Sequence, residues 1–157
     1  MEVSVYYEFF NPGAVKSLVV GFEAFSPGGD VGPEPKSGQH PNISDFAVNM
    51  NDKALAYDVA IVRDSAYFEN GKFKTLDRAQ VEESMANHGW QSADCFYVYH
   101  FKADFKEGLN VVRHTYTCDL STVVDFIYLF YSVLNSATRW EYRKDDDFTS
   151  VVGVFYA

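Results

Sequence analysis

Residues 95–134 read CFYVYHFKADFKEGLNVVRHTYTCDLSTVVDFIYLFYSVL, a run without proline in which aromatic and β-branched side chains predominate. Such side chains pack well on a pleated surface, so the run favours extended strands. Two polar breaks divide it, at Phe105-Lys106-Glu107-Gly108 and at Asp119-Leu120-Ser121. The expectation is three consecutive antiparallel strands joined by turns, the centre of an all-β domain. No catalytic signature lies within it.

The flanking sequence extends this pattern. Residues 3–10, VSVYYEFF, alternate with Val3, Val5, Tyr7 and Phe9 on one face, and Asn11-Pro12-Gly13 supplies turn chemistry before a second strand over 17–25. These two strands are expected to form a hairpin. A second hairpin is expected where Phe46, Val48 and Met50 alternate up to Asn51-Asp52-Lys53, and Leu55, Tyr57, Val59 and Ile61 alternate after it. Between the two hairpins, residues 26–44 hold four of the five prolines and show no periodicity. Loops of that length inside a compact domain are usually functional or disordered, so a mobile surface loop or a ligand loop is expected there.

A polar excursion over 64–92 contains the one helix signal, near 77–88. Asp77 stands at the cap with Gln80 at the reciprocal capping-box position, Leu76 and Val81 can staple, and Gly89 can stop the helix. Asn70-Gly71 upstream suits a small hairpin turn. After residue 134 come Trp140, the polar EYRKDDD and a final strand over 148–155. About eight strands with one short inserted helix suit an antiparallel two-sheet sandwich of immunoglobulin-like type, formed by a single domain over 1–157.

Composition narrows the functional classes. The chain has 157 residues, enough to bury a core unaided, and its 47% hydrophobic against 22% charged content excludes a disordered chain. Aromatic residues make up 17%, with 14 Phe and 11 Tyr, most of which should fill the space between sheets. A net charge of −9 opposes phosphate backbones and anionic membrane surfaces, so no nucleic-acid partner is expected. No apolar run reaches the roughly 20 residues of a membrane helix, so no integral membrane segment is expected. The opening MEVSVYYEFF reads as a strand and not as a signal peptide.

Cys95 and Cys118 are the only cysteines. In a hairpin whose facing residues sum to 213 they oppose each other and could be joined. A sum of 214, favoured by a bulge at Gly108, separates them and sets His100 against His114. Two imidazoles, even with Cys118 nearby, fall short of the three or four ligands of a zinc site, so no metal and no cofactor is expected. Asp145-Asp146-Asp147 lacks the alternation of a calcium loop and reads as a solvated turn. Asn42-Ile43-Ser44 matches a glycosylation sequon. Nucleophile-elbow, P-loop, HExxH and CxxC patterns are absent from the sequence, so no catalytic residue is named. The candidate binding residues are Trp90, Trp140, Tyr67 and His40, for which packing roles are the competing reading.

Three pieces carry a resemblance: VSVYYEFFNPGAVKSLVVGFEA, FKADFKEGLNVVRHTYTCDLS and YSVLNSATRW. Their order is similar to uncharacterised bacterial cell-envelope proteins described as domains of unknown function. The resemblance implies an exported, extracytoplasmic β-sandwich, in the periplasm or at the cell surface. It brings no catalytic residues. The expected function is a non-enzymatic module acting through protein or glycan contacts, displayed on the loop 26–44 and the excursion 64–92. The alternatives are a carbohydrate-active hydrolase with two carboxylates across a cleft, and a purely structural domain of a longer protein.

Overall fold

A computed structural model describes residues 2–25, 35–63, 67–88, 95–118, 130–133, 139–144 and 151–156. In chain order the elements are β1 (Glu2–Asn11), β2 (Lys16–Phe25), β3 (Ile43–Met50), β4 (Lys53–Leu55), β5 (Asp58–Val62), β6 (Phe68–Glu69), β7 (Lys72–Phe73), α1 (Arg78–His88), β8 (Phe96–Phe105), β9 (Gly108–Cys118), β10 (Phe130–Val133), β11 (Arg139–Lys144) and β12 (Val151–Tyr156). The protein is mainly β, as expected, with one short helix and antiparallel sheets that do not close into a barrel. Two four-stranded sheets dominate, ordered β1-β9-β3-β4 and β10-β2-β8-β5. Two small pairs, β6-β7 and β11-β12, stand beside them.

Both long expected hairpins prove to be something else. β1 and β2 do not pair; β1 lies against β9 from Glu2↔Thr117 to Asn11↔Gly108, and β2 against β8 from Lys16↔Phe105 to Phe25↔Phe96. Residues 95–118 are therefore two strands in different sheets, and β10 joins the sheet of β8 through β2, so the run is not a three-strand meander. Residues 2–25 and 96–118 form one long antiparallel ribbon bent in the middle, each half of the bend changing sheets at 12–15 and at 106–107. Alternation has the same period in a hairpin and in such an arch, because either way one face of each strand points inward.

Asparagine side chains account for the arches. Asn11 Nδ2 donates to Ala14 O (2.9 Å) and, across the bend, to Phe105 O (3.0 Å), while its Oδ1 accepts from Gly13 N (3.3 Å). Asn110, fully buried, has an Oδ1 that accepts from Lys106 N (3.0 Å) and Asn51 Nδ2 (3.2 Å). Its Nδ2 donates to Lys106 O (2.8 Å) and Gly108 O (3.0 Å). Backbone groups leaving a ladder at a bend must find partners, and these amides supply both donors and acceptors. Gly108 takes φ +88°, a left-handed conformation that side chains resist.

The second expected hairpin is only partly formed: its turn pairs β3 with β4, which ends at Leu55, while the residues expected to continue it, Val59 and Ile61, lie on β5, which pairs with β8 in the other sheet. Asn51 and Asp52 both take positive φ (49° and 62°), the primed turn that matches strand twist. Asn70-Gly71 does the same between β6 and β7 (52° and 77°). A third such turn, Ser37-Gly38 (54° and 76°), closes a small bridge between Lys36 and Gln39. The second half of the proline-rich segment is thus built into the fold, with His40 and Pro41 buried, where a mobile loop was expected; its first half, 26–34, lies outside the described residues.

The inner faces of the two large sheets meet in one aromatic core. Tyr7 and Phe9 of β1, Phe46 and Val48 of β3, and Val112 and Tyr116 of β9 face Val20 and Phe22 of β2 and Tyr97, Tyr99 and Phe101 of β8. Phe46 stays inward because β3 bulges between Ser44 and Ala47, with Asp45 at φ 54°. Its ring lies 4.5 Å from Tyr99 and 5.6 Å from Phe22 in the opposite sheet.

Helix α1 begins with the reciprocal cap expected of it: Gln80 N donates to Asp77 Oδ1 (2.8 Å) and Asp77 N to Gln80 Oε1 (2.9 Å). Val81 and Ser84 are buried and most of the other described side chains are exposed, which fits a helix on the flank. Gly89 lies outside the described residues. Asp77→Ala should lower stability by about 1 kcal/mol, or melt the helix locally if it docks weakly. Helical signal and urea midpoint, compared with wild type, measure both effects, and no change in either would contradict the cap.

Candidate functional site

The sequence-named candidates scatter. His40 is buried just before β3, where its backbone N–H donates to the Tyr99 hydroxyl (3.2 Å) and its Nδ1 accepts from Asn42 N (3.1 Å). Burial raises the Tyr99 hydroxyl to about 12, so it stays neutral and can serve that contact throughout the ordinary pH range. Tyr67 is also buried; its hydroxyl donates to Glu23 Oε1, and its ring stacks on Phe73 and meets Phe96 edge-on. Both residues build the interior and present no surface to a ligand. Trp140 sits on β11 opposite Phe155, its side chain outside the described set, and Trp90 lies outside the described residues altogether.

Histidines expected to face each other are far apart in the architecture. His100 pairs with Gly21 and Asp58 on the outer face of its sheet, whereas His114 pairs with Val5 and Val48 and points into the core. Its ring is enclosed by Phe22 at 4.7 Å, Phe46 at 5.6 Å, Tyr116 at 5.8 Å and Tyr7 at 5.9 Å. Burial pushes its pKa down to about 3, so it is a neutral ring among aromatic rings. The hairpin registers framed for the cysteines do not arise, since Cys118 pairs with Ile43 and Cys95 precedes a strand of the other sheet; both are buried. Among the described residues, no three His, Cys, Asp or Glu side chains converge as a metal-holding group. Also among them, no helix is long and apolar enough to cross a membrane.

The outer faces of the two large sheets differ. Over β5 and β8 the excursion folds back as a cover: Ala60, Val62, Tyr67 and Val98 form a second small core, with Phe68, Phe73 and Phe96 packed around it. Much of the excursion thus shields its own sheet, where a displayed contact loop was expected. The outer face of β1-β9-β3 carries a different set. Cross-strand neighbours Phe10 and Leu109 are 52% and 59% exposed, and Val15 on the adjoining arch is 62% exposed. Further along the same face, Arg113 pairs with Tyr6 and lies over its ring, 5.8 Å from the centroid. The Tyr6 hydroxyl donates to Glu8 Oε1 (2.5 Å), and that bond raises the Tyr6 pKa.

This face thus carries an exposed apolar pair at one end and an aromatic–guanidinium–carboxylate group further along. Its signal is present in the sequence: with Val3, Val5, Tyr7 and Phe9 inward, alternation leaves Tyr6 and Phe10 outward. What alternation could not supply was the strand beside them. No protein-family model, curated protein or solved structure matches the chain.

Proposed function

We propose that the chain is a non-enzymatic β-sandwich interaction module whose contact face is the outer side of β1-β9-β3. One observation carries the reading: Phe10 and Leu109, exposed cross-strand neighbours, share one sheet face with the Tyr6–Arg113 pair further along it. The module is read as extracytoplasmic and bacterial, on the strength of the sequence resemblance alone; recovery of the native chain from the cytosolic fraction of its host would refute that part.

The kind of sandwich is part of the proposal. Nested pairing, β1 with β9 and β2 with β8, supports a jelly-roll winding in place of the immunoglobulin-like order expected from sequence. The winding positions the face and implies no ligand by itself.

Glycan arrays and immobilised envelope proteins provide the test. Wild type should bind a member of one panel, and Phe10→Ser/Leu109→Ser should bind about tenfold more weakly with an unchanged melting temperature. Absence of binding in both panels, or equal binding by the double variant, would reject this face as the site.

A further inference from the structure

We propose that the β6-β7 hairpin is an acid-released cover, held on the outer face of β5-β8 while His100 beneath it is neutral. The inference concerns the sheet opposite the proposed contact face and does not depend on that reading. Phe73 of the hairpin stacks on the His100 imidazole at 4.0 Å between ring centroids, 27° from coplanar. The hairpin's base is fastened to the sheet through Leu76 N, which donates to Ile61 O (2.8 Å), and is closed by Lys74 N donating to Tyr67 O (2.7 Å). Ala60, Val62 and Val98 lie buried under it.

The charges around His100 leave its proton weakly compensated. Asp58 stands across from it on β5, Gly21 on the β2 side carries no charge, and Lys102 is two residues along on the same face of β8. Glu23, near the cover's other edge, accepts the Tyr67 hydroxyl. On the hairpin Glu69 is paired with Lys74 at 2.7 Å, and Lys72 adds another positive charge. Burial lowers the His100 pKa below its ordinary 6.5, with Asp58 acting weakly in the opposite sense. The closed form therefore binds fewer protons than the open form. Closure is fully favoured above the ordinary value and is lost progressively as pH falls below it.

Backbone hydrogen exchange, corrected for intrinsic rates, reads the cover directly at the Lys74 and Leu76 amides. From about pH 7 to about pH 5 their protection should drop severalfold more than that of the Gln39 amide, which another local turn protects by donation to Lys36 O (3.0 Å). His100→Phe keeps a ring under Phe73 and removes the proton, so the excess drop should vanish. Asp58→Asn removes the compensating charge and should enlarge it. On wild type, the His100 imidazole should titrate below 6.5, and the Phe73 and Lys74 amide shifts should follow the same midpoint. That measurement stands even where a variant fails to fold. Protection at Lys74 and Leu76 that ignores pH, an excess drop that survives His100→Phe, or an imidazole titration unaccompanied by the hairpin amides would each overturn the proposal.

Discussion

Asn110→Ala should destabilise the protein by about 2–3 kcal/mol, a large loss for one strand position. The side chain is fully buried and makes four hydrogen bonds, two to Lys106, one to Gly108 and one to Asn51. Truncation would remove little apolar area. It would leave the Lys106 N–H, two carbonyls and the Asn51 amide without this partner, although Lys106 and Asn51 are exposed and water can replace part of what is lost. Asn51 is itself committed, because its Oδ1 accepts from Val111 N (2.8 Å) and its backbone N–H donates to Val111 O (2.8 Å). One amide thus joins the β8-β9 arch to the β3-β4 turn. Asn110→Asp restores the acceptors only, and should recover a fraction of the loss. Urea unfolding of the three proteins measures it; a cost for Asn110→Ala below about 1 kcal/mol would mean that water replaces the amide readily.

Acid should unfold the wild type with an unusually steep contribution from a single histidine. His114 has a folded-state pKa of about 3 against an ordinary 6.5, so the folded chain binds fewer protons than the unfolded chain between these values. Stability is complete above about 6.5 and falls by roughly 1.4 kcal/mol per pH unit below it, or about 3 kcal/mol by pH 4.5. His114→Phe keeps a ring among Phe22, Phe46, Tyr7 and Tyr116 and should remove that slope. Its stability at pH 7 can change by about 1–3 kcal/mol from repacking, so the comparison lies in the pH dependence and not in the absolute value. Parallel stability–pH curves for the two proteins from pH 6.5 to 4 would show that His114 is not the group responsible.

Local chemistry in this chain was legible, and long-range pairing was not. Asn51-Asp52 and Asn70-Gly71 made primed turns because positive φ is a property of the residues themselves. Asp77 and Gln80 capped α1 because both partners lie within one turn of chain. The arches are another matter. Asn11-Pro12-Gly13 could reverse a strand beside itself or carry it into the facing sheet, and the outcome lies in the pairing of β1 with β9 and β2 with β8, joined at the bend by the bond from Asn11 to Phe105 O, 94 positions away. The same difficulty hid the contact face. Phe10 was readable as outward, but Leu109 becomes its neighbour only through the β1-β9 pairing. Nothing local marks Tyr67 and His40 as interior, yet both are buried, and the Tyr67 hydroxyl and His40 imidazole are engaged by Glu23 and Asn42.

The bent ribbon also orders events during synthesis. Glu2 pairs with Thr117, 115 positions later, and Phe25 with Phe96, 71 positions later. As β1 and β2 leave the ribosome, the ladder partners β8 and β9 do not yet exist, and the pair cannot shelter in a hairpin of its own. Domains dominated by such distant contacts fold slowly and expose strand edges while they wait. The β1-β2 segment, rich in Phe, Tyr and Val, is therefore the part that a nascent-chain chaperone would have to hold.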